Sequence, residues 1–468
     1  MPDDSIAILP AHEIARRVRA REVSPVEVLD ACMARVERHN PRLNAVVTLN
    51  PAARDDAAEL ERRIARGEAP GPLAGVPVGI KDVTEVAGVR TTYCSPLFAD
   101  HVPAEDAEVV RRLRAAGAVI LGKTNTPEFA AGGNTFNAVF GLTRNPWNPE
   151  RSAGGSTGGG AVGLVTGMFG LAQGTDLGGS LRIPASFCGV VGLRPSVGLV
   201  PTWPQEYIWD PMQVTGVMGR TAEDVALGLQ AVAGPSSLAP LAQPVEGRDF
   251  AAAVRRADVR GKRFAYCRDI GGIGIDADVE RVCREAAFAL RSAGAAVEEI
   301  DLDLSYARRP FLALRGYWFV SQLYPHLDKL EQFGVNVANN VRAGLAVTMR
   351  ELGAAEQARR RIWEDFRALF GRFGHLLTPT MAVPPFPAEE NFPRTVGGRE
   401  METYVDWIAP TFVLSMTGLP VASVPAGMDS AGMPVGLQIV APPRGEERAL
   451  AAAGIVQQLR PMPRPPLA

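Results

Sequence analysis

A layered α/β fold is predicted for this chain, on three observations. Short apolar runs closed by glycine or proline alternate with amphipathic stretches of helical period, the pattern of strands and helices packed in layers. At 468 residues the chain is long enough to build one large core or two, and to enclose a site away from water. With 46% hydrophobic and 21% charged residues, it has the composition of an ordinary folded protein, which argues against disorder.

The elements follow in order. Residues 24–39 (SPVEVLDACMARVERH) place apolar side chains at helical spacing behind Ser24 as N-cap, with Pro25 in the first turn. A second amphipathic helix is read over 51–67. Residues 75–80 (GVPVGI) form a short apolar run ending in Lys81 and Asp82, the signature of a buried strand that delivers a lysine at its end. A helix over 104–116 precedes a strand over 118–122; the alternation recurs as strand 262–267, helix 276–293 with Gly294 just past its end, and strand 296–302. Residues 306–373 are mostly helical and hold Phe311, Tyr317, Trp318, Phe319, Tyr324, Trp363 and Phe366. Packing of helix on helix accounts for such side chains before ligand contact does, although the region is also a candidate cap over a pocket. A strand end with a proline-rich loop over 376–387 and a late strand at 437–440 complete the pattern. No repeat of solenoid period is visible.

Bulk properties exclude several classes of function. A net charge of −2 leaves no basic footprint for nucleic acid or an anionic membrane, so a small or neutral partner is expected. The five cysteines, Cys32, Cys94, Cys188, Cys267 and Cys283, are scattered and have no zinc spacing, which suggests a reduced, cytoplasmic protein without a metal site. The opening segment MPDDSIAILPAHEIARR carries acids and lacks the apolar stretch of a secretory signal. Two uncharged runs, 152–175 and 408–428, are respectively dense in glycine and interrupted by three prolines, so neither reads as a membrane span. A homodimer is the default expectation for assembly.

The densest chemical signal is 151–182, RSAGGSTGGGAVGLVTGMFGLAQGTDLGGSLR. Two serines sit in glycine: Ser156 in Gly154-Gly155-Ser156-Thr157-Gly158-Gly159, and Ser180 in Gly178-Gly179-Ser180. Glycine opens backbone conformations closed to other residues and lets N–H groups approach a ligand. Ahead of LRIPASF, the second cluster fits a tight turn whose N–H groups converge on an oxyanion. An isolated GGS usually marks a turn and nothing more; two such clusters beside a strand-end lysine favour a site.

Ser156 also satisfies G-x-S-x-G, the nucleophile elbow, but an elbow needs a strand running into it. Residues 144–153 (RNPWNPERSA) are polar and carry two prolines. Downstream histidines are limited to His326 and His375, and His375 precedes an apolar LLTP run where a structural role is favoured. Only four of the 49 basic residues are lysines, Lys81, Lys123, Lys262 and Lys329, and none lies three residues after a serine, which excludes the Ser-x-x-Lys pattern. Burial disfavours an ammonium and can lower its pKa by several units from about 10.4, so a buried lysine can act as base. Lys81 is the best placed; pairing with Asp82 is the competing reading.

Together PLAGVPVGIKD (72–82), GKTNTPEFA (122–130), NPWNPERSAGGSTGGG (145–160), GTDLGGSLRIPASFCGVVGLRPS (174–196), GLPVASVPAG (418–427) and GMPVGLQIVAP (432–442) resemble the amidase signature family over nearly the whole chain. That family includes fatty-acid amide hydrolase, malonamidase and the A subunit of tRNA-dependent amidotransferases. The resemblance implies one amidase signature domain over 1–468, with a central mixed, twisted β-sheet covered on both faces by α-helices. The catalytic core would span about 60–235 and the helical, pocket-capping region about 305–373. It implies Ser180 as nucleophile, Ser156 on a cis peptide bond as proton shuttle and Lys81 as base. The N–H groups of Leu177, Gly178, Gly179 and Ser180 would form the oxyanion hole, with Thr157, Asp176 and Arg182 in support. Ala130, Ala131 and Gly132 would line the acyl pocket with backbone.

The implied reaction is hydrolysis of a carboxylic amide, or of an ester or carbamate, to acid plus amine or ammonia through an acyl-enzyme, without cofactor or metal. The substrate would be a small-molecule amide; the aromatic stretch 311–366 and WPQEYIW (203–209) lean toward a hydrophobic or aromatic acyl group. Three positions depart from the family pattern. Thr157 stands where a second serine is usual, with its hydroxyl expected to keep the network intact; Gly160 replaces a common serine; Ser415 replaces an asparagine ahead of TGLP. Two alternatives stay open. One is the glutamine-hydrolysing A component of a tRNA-dependent amidotransferase, which needs companion chains and a charged clamp that the sequence does not reveal. The other is a silent scaffold, against which retention of all three triad positions argues.

Overall fold

The run read as a lysine-bearing strand is β2 (Pro77–Lys81), buried at all five positions. In the computed structural model, which describes residues 4–466, it lies inside a large mixed sheet. The other strands of that sheet are β1 (Val46–Leu49), β3 (Val119–Thr124), β4 (Leu171–Asp176), β5 (Val191–Arg194), β6 (Val214–Gly219), β7 (Arg263–Tyr266), β8 (Ala296–Glu299) and β9 (His375–Pro379). A separate hairpin, β10 (Thr395–Val396) with β11 (Arg399–Glu400), intervenes before β12 (Val421–Met428) and β13 (Pro434–Val440). The order is β1-β3-β2-β4-β6-β5-β12-β13-β9-β7-β8. β2 pairs in parallel with β3 and β4, whereas β4 to β6, β5 to β12, β12 to β13 and β13 to β9 are antiparallel. Helices flank the sheet, as the predicted α/β class requires.

Local signals account for many boundaries. Ser24 forms a capping box with Glu27: its Oγ accepts from the Glu27 N–H at 3.1 Å, while Glu27 accepts from the Ser24 N–H at 2.8 Å. The helix it starts, Pro25–Leu43, runs past residue 39 until Asn44 turns left-handed at φ 52°. Gly294, at φ 85°, ends the 3₁₀ turn Leu290–Ala293 that continues helix Ala277–Ala289. The helix read over 104–116 is shorter, Glu108–Ala115, and the strand read over 296–302 stops at Glu299. Residues 306–373 carry helices Arg308–Gln322, Val335–Ala346 and Met349–Phe370, as expected. The uncharged runs resolve into buried elements: helix Gly158–Val165 leading into β4, and helix Ala409–Ser415 leading into β12. Among the described residues no helix is long and apolar enough to cross a membrane.

Phe169 locks the glycine-rich helix to β2. A methyl group at Gly79 would stand 2.7 Å from the Phe169 ring and one at Gly163 2.2 Å from it, so both glycines are needed for this close approach. The ring is fully buried, and Gly79 lies two residues before Lys81 on β2. Phe169→Ala is therefore expected to destabilise the fold by about 3–5 kcal/mol. Thermal denaturation followed by circular dichroism checks this; an unchanged midpoint would contradict the packing described.

Candidate active site

Lys81, fully buried at the end of β2, points its ammonium nitrogen at two hydroxyls: Nζ lies 2.6 Å from Ser156 Oγ and 2.9 Å from Thr175 Oγ1. The lysine forms no ion pair among the described residues. Asp82, its neighbour in sequence, faces the other way: its Oδ1 lies 3.8 Å from Lys123 Nζ, and its Oδ2 accepts from the Thr92 N–H at 3.1 Å and hydroxyl at 2.5 Å. The competing reading of a Lys81–Asp82 pair is thereby excluded. Burial strips water from the Lys81 ammonium and lowers its pKa to about 7, against a smaller opposing pull from Asp176.

Ser156 reaches Lys81 from a loop whose Gly155–Ser156 peptide is cis. Gly154, at φ 74°, packs against the start of Pro184, and a Cβ on Gly155 would collide with the Asn134 backbone at 2.9 Å, so the two glycines are required by the path of this loop. The Thr157 N–H donates to the Ser180 carbonyl at 3.2 Å and ties the two serine loops together. The expectation for the Thr157 hydroxyl is corrected. Its Oγ1 is buried without a hydrogen-bond partner among the described residues, because the side chain turns toward Gly174 of β4, where a Cβ would stand 2.6 Å away.

Ser180 is half-buried at the turn between β4 and helix Arg182–Cys188. The turn is organised by Asp176. Its carboxylate accepts from the N–H groups of Gly179 (3.0 Å) and Leu181 (3.1 Å), from Arg182 Nε (3.0 Å) and Nη2 (2.9 Å), and from Arg194 Nη1 (3.2 Å). Burial would raise the Asp176 pKa, but the two guanidiniums and the N–H donors hold it below the usual carboxylate range. Arg182 continues the network through Nη1 to Gln438 Oε1 (2.8 Å) and the Thr411 carbonyl (2.9 Å), and through Nη2 to Ser415 Oγ (2.7 Å). The serine that departs from the family pattern thus still accepts from Arg182. One oxyanion donor is also corrected: the Gly179 N–H is engaged by Asp176, which leaves those of Leu177, Gly178 and Ser180 without protein acceptors among the described residues.

Ser180 opens into a pocket lined by Ala130, Gly132, Leu177, Gly178 and Thr175, and walled by Arg315, Trp318 and Phe319 from helix Arg308–Gln322. An adjoining cleft extends it past Tyr93, Phe98, Phe129 and Trp203. Ala131 does not line the pocket; it is buried, and its carbonyl accepts from Asn336 Nδ2 at 3.0 Å. Of the aromatics in the helical region, Trp318 and Phe319 line this pocket, whereas Phe311 and Phe366 are core and Tyr317, Tyr324 and Trp363 are exposed. Trp318 is fixed by donating to Asp210 Oδ2 at 2.5 Å. Neither downstream histidine joins the serines. His375 is buried in β9, stacked on Phe264 at 4.5 Å, and its pKa is lowered to about 4 by burial; His326 sits in the outer cleft against Phe98.

Thr175, Arg194 and Arg315 were not singled out from the sequence. Thr175 lies on β4, which pairs in parallel with β2 through Ile80 and Gln173, and only that pairing brings it to Lys81.

The relatives of this chain agree with its architecture. A sequence profile described as Amidase matches residues 27–450. The chain is 36% identical to the A component of the glutamyl-tRNA(Gln) amidotransferase of Carboxydothermus hydrogenoformans, with 96% of this chain and 97% of that relative covered. It is 34% identical to an acylamidase of Rhodococcus erythropolis, covering 98% and 97%. Among solved structures, a bacterial aryl acylamidase of the amidase signature family superposes with a TM-score of 0.91 at 28% identity, covering 98% and 97%. The peptide amidase of Stenotrophomonas maltophilia does so at 0.83 and 28%, covering 99% of each. The resemblance read from the sequence motifs therefore holds over the length of the protein, and the chain belongs to the amidase signature family.

Proposed function

We propose that this enzyme hydrolyses a small carboxylic amide to an acid and an amine or ammonia through an ester on Ser180, with Ser156 relaying protons and Lys81 as the base. The observation that carries the reading is the 2.6 Å contact between Lys81 Nζ, whose pKa burial lowers to about 7, and Ser156 Oγ. A neutral Lys81 takes the Ser156 proton as Ser156 takes that of Ser180, and Ser180 Oγ forms a bond to the carbonyl carbon. The carbonyl π pair moves onto oxygen, toward the N–H groups of Leu177, Gly178 and Ser180. Collapse breaks the C–N bond while Ser156 returns a proton to the leaving nitrogen. Water, deprotonated along the same chain, then cleaves the ester and frees Ser180.

Thr175 holds the Lys81 nitrogen on the line to Ser156, and Asp176 with Arg182 holds the turn that presents Ser180. The aromatic walls favour a hydrophobic or aromatic acyl group. Five unpaired, buried cysteines fit work in the cytoplasm. The likeness to an amidotransferase component supports a second reading, release of ammonia from glutamine for partner chains.

Ser180→Ala is expected to abolish turnover of amides that the wild type cleaves, and Lys81→Ala to lower kcat/KM by about 10²–10⁴; steady-state kinetics on an amide panel checks both. Because only neutral Lys81 can accept a proton, kcat/KM should fall about tenfold per pH unit below its pKa of about 7 and level off above it. A profile flat from pH 5 to 8 would contradict the assignment of the base. Ammonia release from glutamine, appearing only with added amidotransferase partners, would shift the conclusion to the second reading.

A further inference from the structure

One cation beside Ser180 has no anion. Arg315 is only 5% exposed, on helix Arg308–Gln322, and makes no ion pair among the described residues. Carboxylates on the adjoining segments are already engaged, Asp176 by Arg182 and Arg194, and Asp406 by Arg308. A guanidinium keeps its charge under physiological conditions, and a buried charge without a partner is costly to the fold. Retaining one at this depth calls for a reason.

The side chain is held so that one edge stays free. Nε donates to Asn340 Oδ1 at 3.0 Å and Nη2 to Tyr404 Oη at 2.6 Å. Asn340 is itself fixed by donating to the Asn336 carbonyl (2.6 Å) and to Tyr404 Oη (2.7 Å). The guanidinium carbon lies 4.9 Å from the Phe319 ring centroid and 5.4 Å from that of Tyr404, which restrict its other rotamers. Nη1 has no protein acceptor among the described residues, and it lies 3.9 Å from where a Cβ on Gly178 would be, beside the turn that presents Ser180. No aspartate or glutamate lines this pocket; Arg315 is its one charged residue among those described.

We propose that Arg315 is a specificity-determining residue that receives a carboxylate of the substrate. The proposal rests on the amidase reading above and narrows it: one arm of the scissile amide runs along the aromatic cleft, and the other ends in a single carboxylate that accepts from Arg315. An amino-acid-like arm with a free ammonium is disfavoured beside Arg315, since no carboxylate lines that inner pocket and Glu85 and Glu206 line the adjoining cleft that takes the other arm, and this argues against glutamine. The carboxylate can belong to the acyl arm, as in a dicarboxylic acid monoamide, or to the amine arm, as in an N-acyl amino acid; the recognition chemistry is the same.

The test compares charged and neutral isosteres in the full-length enzyme: succinamate against 4-methylpentanamide for the acyl arm, and N-benzoylglycine against N-isobutylbenzamide for the amine arm. One charged member is expected to be favoured by about 10- to 100-fold in KM. That preference should collapse in Arg315→Gln and return in part in Arg315→Lys. Calorimetric binding of the same compounds to Ser180→Ala separates this claim from the reaction: carboxylate binding that depends on Arg315, without any wild-type turnover, would uphold the receptor and overturn the hydrolase reading. Turnover of neutral amides with no preference for either carboxylate in the wild type would overturn the receptor and leave the hydrolase reading in place.

Discussion

A lysine carried to the middle of a protein without a counter-ion cannot keep its proton cheaply, because desolvation penalises the ammonium and leaves the neutral amine almost untouched. The architecture enforces this on Lys81. β2 is buried at every residue, the sequence-adjacent carboxylate Asp82 is turned toward Lys123, and the other charge acting on the amine, Asp176, is itself neutralised by two arginines. The hydroxyls of Ser156 and Thr175 then supply directed polar contacts that suit either protonation state. Had Asp82 faced inward, an ion pair would have kept Lys81 charged and useless as a base.

The second constraint is how two serine-bearing loops, each leading directly into a helix, keep a common geometry. Asp176 answers it for the Ser180 turn by binding two N–H groups and two guanidiniums at once. Arg182 extends the hold to β13 through Gln438 and to helix Ala409–Ser415 through Ser415. The Ser156 loop is joined by the single bond from Thr157 to the Ser180 carbonyl and by glycines that admit no side chain. A buried network of this kind is valuable when complete, since each unpaired member would carry a desolvation cost.

The chemistry-bearing segments were largely legible from the sequence, and for a physical reason. Strand β2 announces itself because an apolar run bounded by Gly and Pro has few alternatives, and the two Gly-Ser clusters stand out because such glycine density is rarely neutral. Strands β4, β5 and β6 were not read, as LAQGTD, VGLR and VTGVMG mix glycine and polar residues and are buried on both faces, which erases any alternation. Thr175 and Arg194 lay hidden with them. The Thr157 hydroxyl and the Gly179 N–H were misassigned because residue type gives a group's capacity for hydrogen bonding but not its direction. Arg315 was invisible among 49 basic residues until its lack of an anion could be seen.

The central claim is that a neutral buried lysine activates Ser180 through Ser156, and a fluorophosphonate that labels nucleophilic serines tests it without knowledge of the substrate. Label rate would be followed against pH in wild type and Lys81→Met, with the modified residue located by peptide mass spectrometry. The account predicts a single adduct on Ser180, forming about tenfold faster per pH unit up to about 7 in wild type and slowly throughout in Lys81→Met. An adduct on Ser156, or a Ser180 rate indifferent to pH and to the loss of Lys81, would contradict it.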